Sequence, residues 1–211
     1  MSIVHRPTLA RRAAALGSGG LIAAGAIVAT GGPASAALII KARYKVTGST
    51  FLAGPKASVK LGPGTLSAKV NAGTGKLTAA LSLPPATGSF KQAGVIPVTA
   101  TTKFINDGPT TGKVSLTTGA VRTTSKITLQ ITSLTVAGLP VPVGSQCETS
   151  SPVVVSLKSL KGFTALGGGK VAGSYTIGKF SHCMLATLLI NQTVPASGNT
   201  ITLTLGKAKV G

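Results

Sequence analysis

Beyond residue 36 the chain alternates apolar and polar residues along most of its readable segments, and a period of two marks strands that bury one face. Leu38, Ile40, Tyr44 and Val46 share one phase, with Lys41, Arg43 and Lys45 on the other. The pattern returns in Leu77, Ala79, Leu81 and Leu83, in Ile96, Val98, Ala100 and Phe104, and in Val114 and Leu116. Later copies are Ile127, Leu129 and Ile131, then Val153, Val155 and Leu157, then Val171, Tyr175 and Ile177, then Ile201, Leu203 and Leu205. After Ile131 the phase slips to Leu134 and Val136. One surplus residue does this, so a β-bulge or bend is expected there, in a strand that crosses between two sheets.

Gly and Pro punctuate these runs at Gly54-Pro55, Gly62-Pro63-Gly64, Gly73-Thr74-Gly75, Pro84-Pro85, Asp107-Gly108-Pro109 and Gly138 to Pro142. Short alternating strands with turn signals at such intervals predict an all-β fold, an antiparallel β-sandwich. Near the C-terminus the period changes. Met184, Leu185, Leu188 and Leu189 fall on one face at helical spacing, which predicts a short helix from about Met184 to Asn191 plugging the end of the sandwich.

The first 36 residues do not join the pattern. Arg6, Arg11 and Arg12 precede an apolar run from Ala13 to Thr30, and Ala34-Ser35-Ala36 forms a small-residue cleavage pattern, so residues 1–36 read as a signal peptide. Residues 37–211 then form a single exported domain, extracellular or held at the cell envelope. No later apolar stretch is long enough to span a bilayer. The paired arginines leave the choice between general and twin-arginine export open. For an exported chain, the two cysteines, Cys147 and Cys183, read as one disulfide.

Charge narrows the function further. The chain has 21 Lys and Arg against 2 Asp and Glu; the leader takes three of the basic residues and neither acid, which leaves 18 cations against 2 acids, a net +16. A body so charged attracts polyanions. Lys41, Arg43 and Lys45 project from one strand face at intervals of about 7 Å, and Lys207 with Lys209 repeats the arrangement at the far end of the chain. These five are the candidate polyanion-binding residues. Lys on exposed strands also guards against edge-to-edge pairing, which is the competing account of each.

Proton chemistry has few candidates. After the leader there is one Asp, one Glu and one His: Asp107, Glu148 and His182. Asp107 sits in Asn106-Asp107-Gly108-Pro109, where its side chain suits a turn. Glu148 and His182 each adjoin a cysteine, so the bridge brings them near one another, with Ser150 and Ser181 close by. Without a nucleophile elbow, a contact buttressing the disulfide is the expected reading. Gly167-Gly168-Gly169-Lys170 departs from a phosphate-binding loop, with Thr164 at its first Gly and Val171 at its Ser or Thr. Asn191-Gln192-Thr193 matches a glycosylation acceptor only as a short motif. No catalytic residue, metal site or cofactor is expected, since two cysteines are too few for a four-ligand zinc site.

In the last third, Gly173-Ser174-Tyr175-Thr176-Ile177, Phe180, Cys183, the Leu188-Leu189 helix and Gly198-Asn199-Thr200-Ile201-Thr202-Leu203-Thr204-Leu205 resemble the tail of a group of secreted actinobacterial proteins of unknown function. The resemblance spans about 35 residues; it implies a secreted or envelope-associated β-sandwich with one disulfide and transfers no catalytic residue.

The expectation is therefore a secreted, non-enzymatic, cationic protein whose partners are an anionic cell-wall polymer or lipid headgroups. A specific nucleic-acid partner is not expected, because Trp is absent and the seven Phe and Tyr fall mostly at inward phases. Two alternatives stand beside it. One is an outer-membrane-type channel or oligomer-forming β protein, which shares the leader and the alternation but would need aromatic girdles. The other is a secreted hydrolase built on Glu148 and His182.

Overall fold

Thr, Val and Ile fill the alternating segments and favour extended backbone, and in a computed structural model that describes residues 38–211 they form fourteen strands. In chain order these are β1 (Ile39–Leu52), β2 (Ala57–Asn71), β3 (Lys76–Ser82), β4 (Ala86–Gln92), β5 (Ile96–Asn106), β6 (Thr110–Val114) and β7 (Val121–Val136). There follow β8 (Leu139–Pro140), β9 (Glu148–Thr149), β10 (Val153–Ser159), β11 (Gly169–Ile177), β12 (Phe180–Ser181), the helix α1 (Ala186–Thr193), β13 (Ala196–Leu205) and β14 (Lys209–Val210). The expected leader, residues 1–36, lies outside the described residues. No helix among the described residues is long and apolar enough to cross a membrane.

The all-β expectation is met, but the sandwich gives way to a barrel. Every pairing is antiparallel, and the order β10-β11-β13-β1-β2-β3-β6-β7 closes on itself because β7 also pairs with β10, Val153 opposite Ile127 through Lys158 opposite Arg122. Eight strands make the ring. Inward and outward residues alternate alike in a sandwich and a barrel, so only this long-range pairing distinguishes them. Beyond Ile127, β7 pairs with β5, and β5 in turn with β4. The phase slip read from the sequence is a bulge at Thr132: Thr101 faces Ser133 while Thr102 faces Ile131. Ile131 and Leu134 are both buried on either side of it. The bulge lets one strand serve the ring with its first half and the β5–β4 extension with its second.

Two apolar clusters fill the molecule. One, inside the ring, gathers Tyr44, Val46, Leu61, Leu77, Leu203 and Leu205, with Phe163 against them. The other, toward the disulfide, gathers Val98, Ile131, Leu134, Ile177, Phe180 and Ile190 around Cys147 and Cys183. Small apolar cavities of about 80 and 90 Å³ remain within these two regions. The inward phase fails only at strand ends, where Leu38, Ile40, Ile96 and Leu116 are exposed.

Buried polar atoms find partners. Thr110 and Ser125 hydroxyls hydrogen-bond each other at 2.7 Å, and Tyr44 donates to the Ala165 carbonyl at 2.7 Å. Tyr175 shares a hydrogen bond with Thr50. Burial lifts both tyrosines above their ordinary value of 10.0, the Thr50 bond partly offsetting this at Tyr175. A phenol whose native pKa is raised contributes stability that is intact below the unfolded value and lost as pH climbs through the native one. With only two Tyr in the chain, absorbance titration of tyrosinate should give a native curve displaced above pH 10 that returns to about 10 in denaturant. Coincident curves would contradict the burial.

Candidate functional site

Two cationic surfaces lie on the outside of the ring. The first contains three of the five expected residues. Lys41 stands opposite Lys69 across β1 and β2, and Arg43 stands opposite Ser67 on one side and Lys209 of β14 on the other. Lys41, Arg43, Lys69 and Lys209 line an open groove of about 690 Å³ together with Thr78 and Pro109. Lys45 and Lys207 do not line it. Lys45 is farther along β1, opposite Thr65, and Lys207 lies in the connection from β13 to β14.

The second surface was not visible in the sequence. Lys76 faces Lys113 across β3 and β6, Lys113 faces Arg122 across β6 and β7, and Arg122 faces Lys158 across β7 and β10. Residues that face each other in a sheet project to the same side, and all four are exposed. They form an unbroken row of cations across four strands, spanning about 14 Å at the usual strand spacing. The row borders an open groove of about 870 Å³ floored by Thr78, Thr111, Thr124, Ser156 and Gly173. Gly173 lets β10 and β11 approach closely here, because a Cβ on it would collide with the Ser156 carbonyl. Each row residue lies at or one position inside a strand end, and even the nearest two in the chain, Lys113 and Arg122, are nine residues apart across a turn, so no local pattern announced it.

Like charges set directly opposite destabilise a sheet. Nothing acidic relieves these four. Asp107 accepts a hydrogen bond from Thr128 at 2.8 Å, and Glu148 accepts one from Gln130 at 2.9 Å. Neither groove has an aromatic side chain in its lining, so base stacking has no platform there.

The Cys147–Cys183 disulfide is formed, and both residues are fully buried. The bridge does not join Glu148 to His182. Glu148 falls opposite Ser181 in the β9–β12 pair and turns to Gln130, while the His182 imidazole lies 3.2 Å from the Ser181 hydroxyl. The helix begins at Ala186, two residues later than expected, and its buried residues are Ala186 and Ile190. Met184, Leu185 and Leu188, three of the four residues of the expected inward face, are exposed. The disulfide and a left-handed Met184 (φ 53°) fix the chain before the helix starts, and that sets which face turns inward.

The remaining motifs are structural. Gly167 donates its N–H to the Thr164 hydroxyl in the β10–β11 connection, and Gly169 (φ 132°) leaves room for the Phe163 side chain that seals this end of the ring. Asn191 is bonded through both side-chain atoms to the Phe180 backbone, at 2.7 and 2.9 Å. Its amide is thereby engaged within the fold. No protein-family profile, curated protein or solved structure matches this chain.

Proposed function

We propose that this is an exported, non-enzymatic protein that adheres to anionic polymers of the cell envelope through its cationic barrel face. The observation that carries the reading is the row Lys76–Lys113–Arg122–Lys158, four like charges in adjacent register with no acid among them. Such a row weakens the free protein and is relieved when a polyanion supplies the missing charge. The second group, Lys41, Arg43, Lys69 and Lys209, lengthens the cationic track around the same ring.

Binding to isolated cell walls and to immobilised polyphosphate tests this. Exposed charges are screened within about 8 Å at physiological ionic strength and about 3 Å at 1 M, so attachment should fall steeply with salt. The variant K76Q/K113Q/R122Q/K158Q should flatten the salt dependence by roughly four in log–log slope, about one per cation removed. A control of equal net charge, K56Q/K91Q/K103Q/K179Q, should change it less. The row variant should also melt higher by about 2–4 °C, since three opposed like-charge pairs disappear. Retention at molar salt, or equal effects of the two variants, would count against a localised site.

Closure of the sheet favours one second reading, a channel in an outer membrane. A bilayer-spanning barrel needs an apolar exterior. Here the outward positions of β1, β3, β6, β7 and β13 are mainly Lys, Arg, Thr and Ser, and the ring interior is packed with apolar side chains. Both features run opposite to a conducting pore, and stepwise conductance in a planar bilayer would revive it.

A further inference from the structure

The end of the ring nearest the cation row exposes large apolar residues as well. Three connections gather there: residues 72–75 between β2 and β3, residues 115–120 between β6 and β7, and residues 160–168 between β10 and β11. The chain also enters β1 at this end, with the Leu38 carbonyl accepting the Ala72 N–H, and the 160–168 connection is tied to the stretch after β13 by the bond from Ala208 N–H to the Leu166 carbonyl. Around this rim Leu38, Leu116 and Leu166 are 69, 59 and 64% exposed, and Leu160 is exposed too.

On a barrel whose outer wall is mainly Lys, Thr and Ser, leucines at loop tips do nothing for the core. They crown the cation row. Leu116 stands three residues beyond Lys113, and Leu160 two beyond Lys158, so the leucines reach out from the row by up to about 10 Å. Lys161, Lys170 and Lys207 add three exposed cations in or beside these connections. Neither side-chain carboxylate of the described residues shares this end: Asp107 lies in the turn between β5 and β6, and Glu148 is bonded to Gln130 beside the disulfide.

We propose that this end of the barrel seats on an anionic phospholipid bilayer, the rim leucines entering the headgroup–acyl boundary while the cation row meets the phosphates. The inference deepens the adhesive function proposed above and rests on it. An apolar layer about 5–10 Å beyond a cationic layer has the depth order of an interfacial anchor, and juxtamembrane cations strengthen such binding to acidic lipid. The opposite end exposes apolar residues too, at Val95, Leu139, Met184, Leu185 and Leu188. It lacks the row, so charge complementarity selects the leucine rim.

Because the chain contains no Trp, a single introduced Trp reports either end without background. Leu166 and Leu188 are similarly exposed, at 64 and 68%, and both accept substitution without loss of core. Full-length L166W and L188W, expressed with their own leader and purified in the form that is exported, are mixed with vesicles of equal phosphatidylglycerol and phosphatidylcholine. L166W should shift its emission to the blue and be quenched by brominated acyl chains; L188W should do neither, and phosphatidylcholine alone should have no effect. L116S/L160S/L166S should bind the acidic vesicles about tenfold more weakly while keeping its affinity for immobilised polyphosphate.

If the protein sediments with acidic vesicles while L166W emits as in buffer, or if L188W responds in its place, the seating is wrong and the adhesive reading survives. Wild-type protein that binds neither vesicles nor polyphosphate removes that reading itself. Should the triple variant misfold, the two Trp reporters still decide.

Discussion

Replacing both Cys147 and Cys183 by Ala should lower the unfolding free energy by about 4 kcal/mol, the chain-entropy value for their sequence separation of 36. The bridge closes a loop that starts immediately before β9, forms β10 and β11 of the ring, and ends just after β12. Its two ends are secured differently. The Cys147 carbonyl accepts the Ile131 N–H beside the bulge, while Cys183 is followed directly by the segment leading into α1. Without the bond, β9 and β12 are held to each other by a two-residue pairing, Phe180 with Thr149 and Ser181 with Glu148, and the adjoining bond from the Ser150 N–H to the Lys179 carbonyl. Native-state hydrogen exchange should therefore rise first in α1 and β12, with the Lys76–Lys113–Arg122–Lys158 end still protected and polyphosphate binding unchanged. A loss below about 1 kcal/mol in urea melts, or exchange that rises first around Leu166, would mean that the bridge does not bear on folding as its loop length requires.

Sequence and structure agree where the determinant is local. The alternation at Val153, Val155 and Leu157, the slipped phase between Ile131 and Leu134, and the pairing of the only two cysteines each depend on a few neighbouring residues or on a count. Closure of the ring depends instead on β7 meeting β10, and the residues that meet, such as Arg122 and Lys158, give no sign in one dimension that they are partners. The cation row has the same origin. Lys41, Arg43 and Lys45 are neighbours along one strand, yet the structure groups Lys41 and Arg43 with Lys69 and Lys209 through lateral pairing. The short helix forms, but its inward face differs from the one its spacing predicts, for a further reason. Its apolar residues surround most of the cylinder, so spacing could not say whether Met184 and Leu188 or Ala186 and Ile190 face inward. The covalent bond at Cys183 decides that, from outside the helix.

Asn199, a polar residue near the start of β13, is completely buried. Its side-chain oxygen accepts the Ala53 N–H at 2.9 Å, and its amide donates to the carbonyls of Ala196 at 2.7 Å and Tyr175 at 3.2 Å. One side chain thus joins the turn after β1, the end of β11 and the start of β13. Asn199→Leu fills similar space but strands one buried donor and two acceptors, and at about 1–3 kcal/mol for each unsatisfied group the expected loss is roughly 4 kcal/mol, independent of pH. Asn199→Asp separates hydrogen bonding from shape. Its carboxylate keeps the Ala53 bond, but its second oxygen faces two carbonyls, so burial and repulsion raise the acid above its ordinary value near 3.9. An acid with a raised native pKa contributes stability that is present below the unfolded pKa and lost as pH climbs through the native one. N199D should approach wild type near pH 3, where its protonated oxygen donates to one of those carbonyls. At pH 7 it should fall at least as far as N199L. Equal melting of N199D and wild type at pH 7 would show that the amide N–H groups of Asn199 do not hold these three segments together.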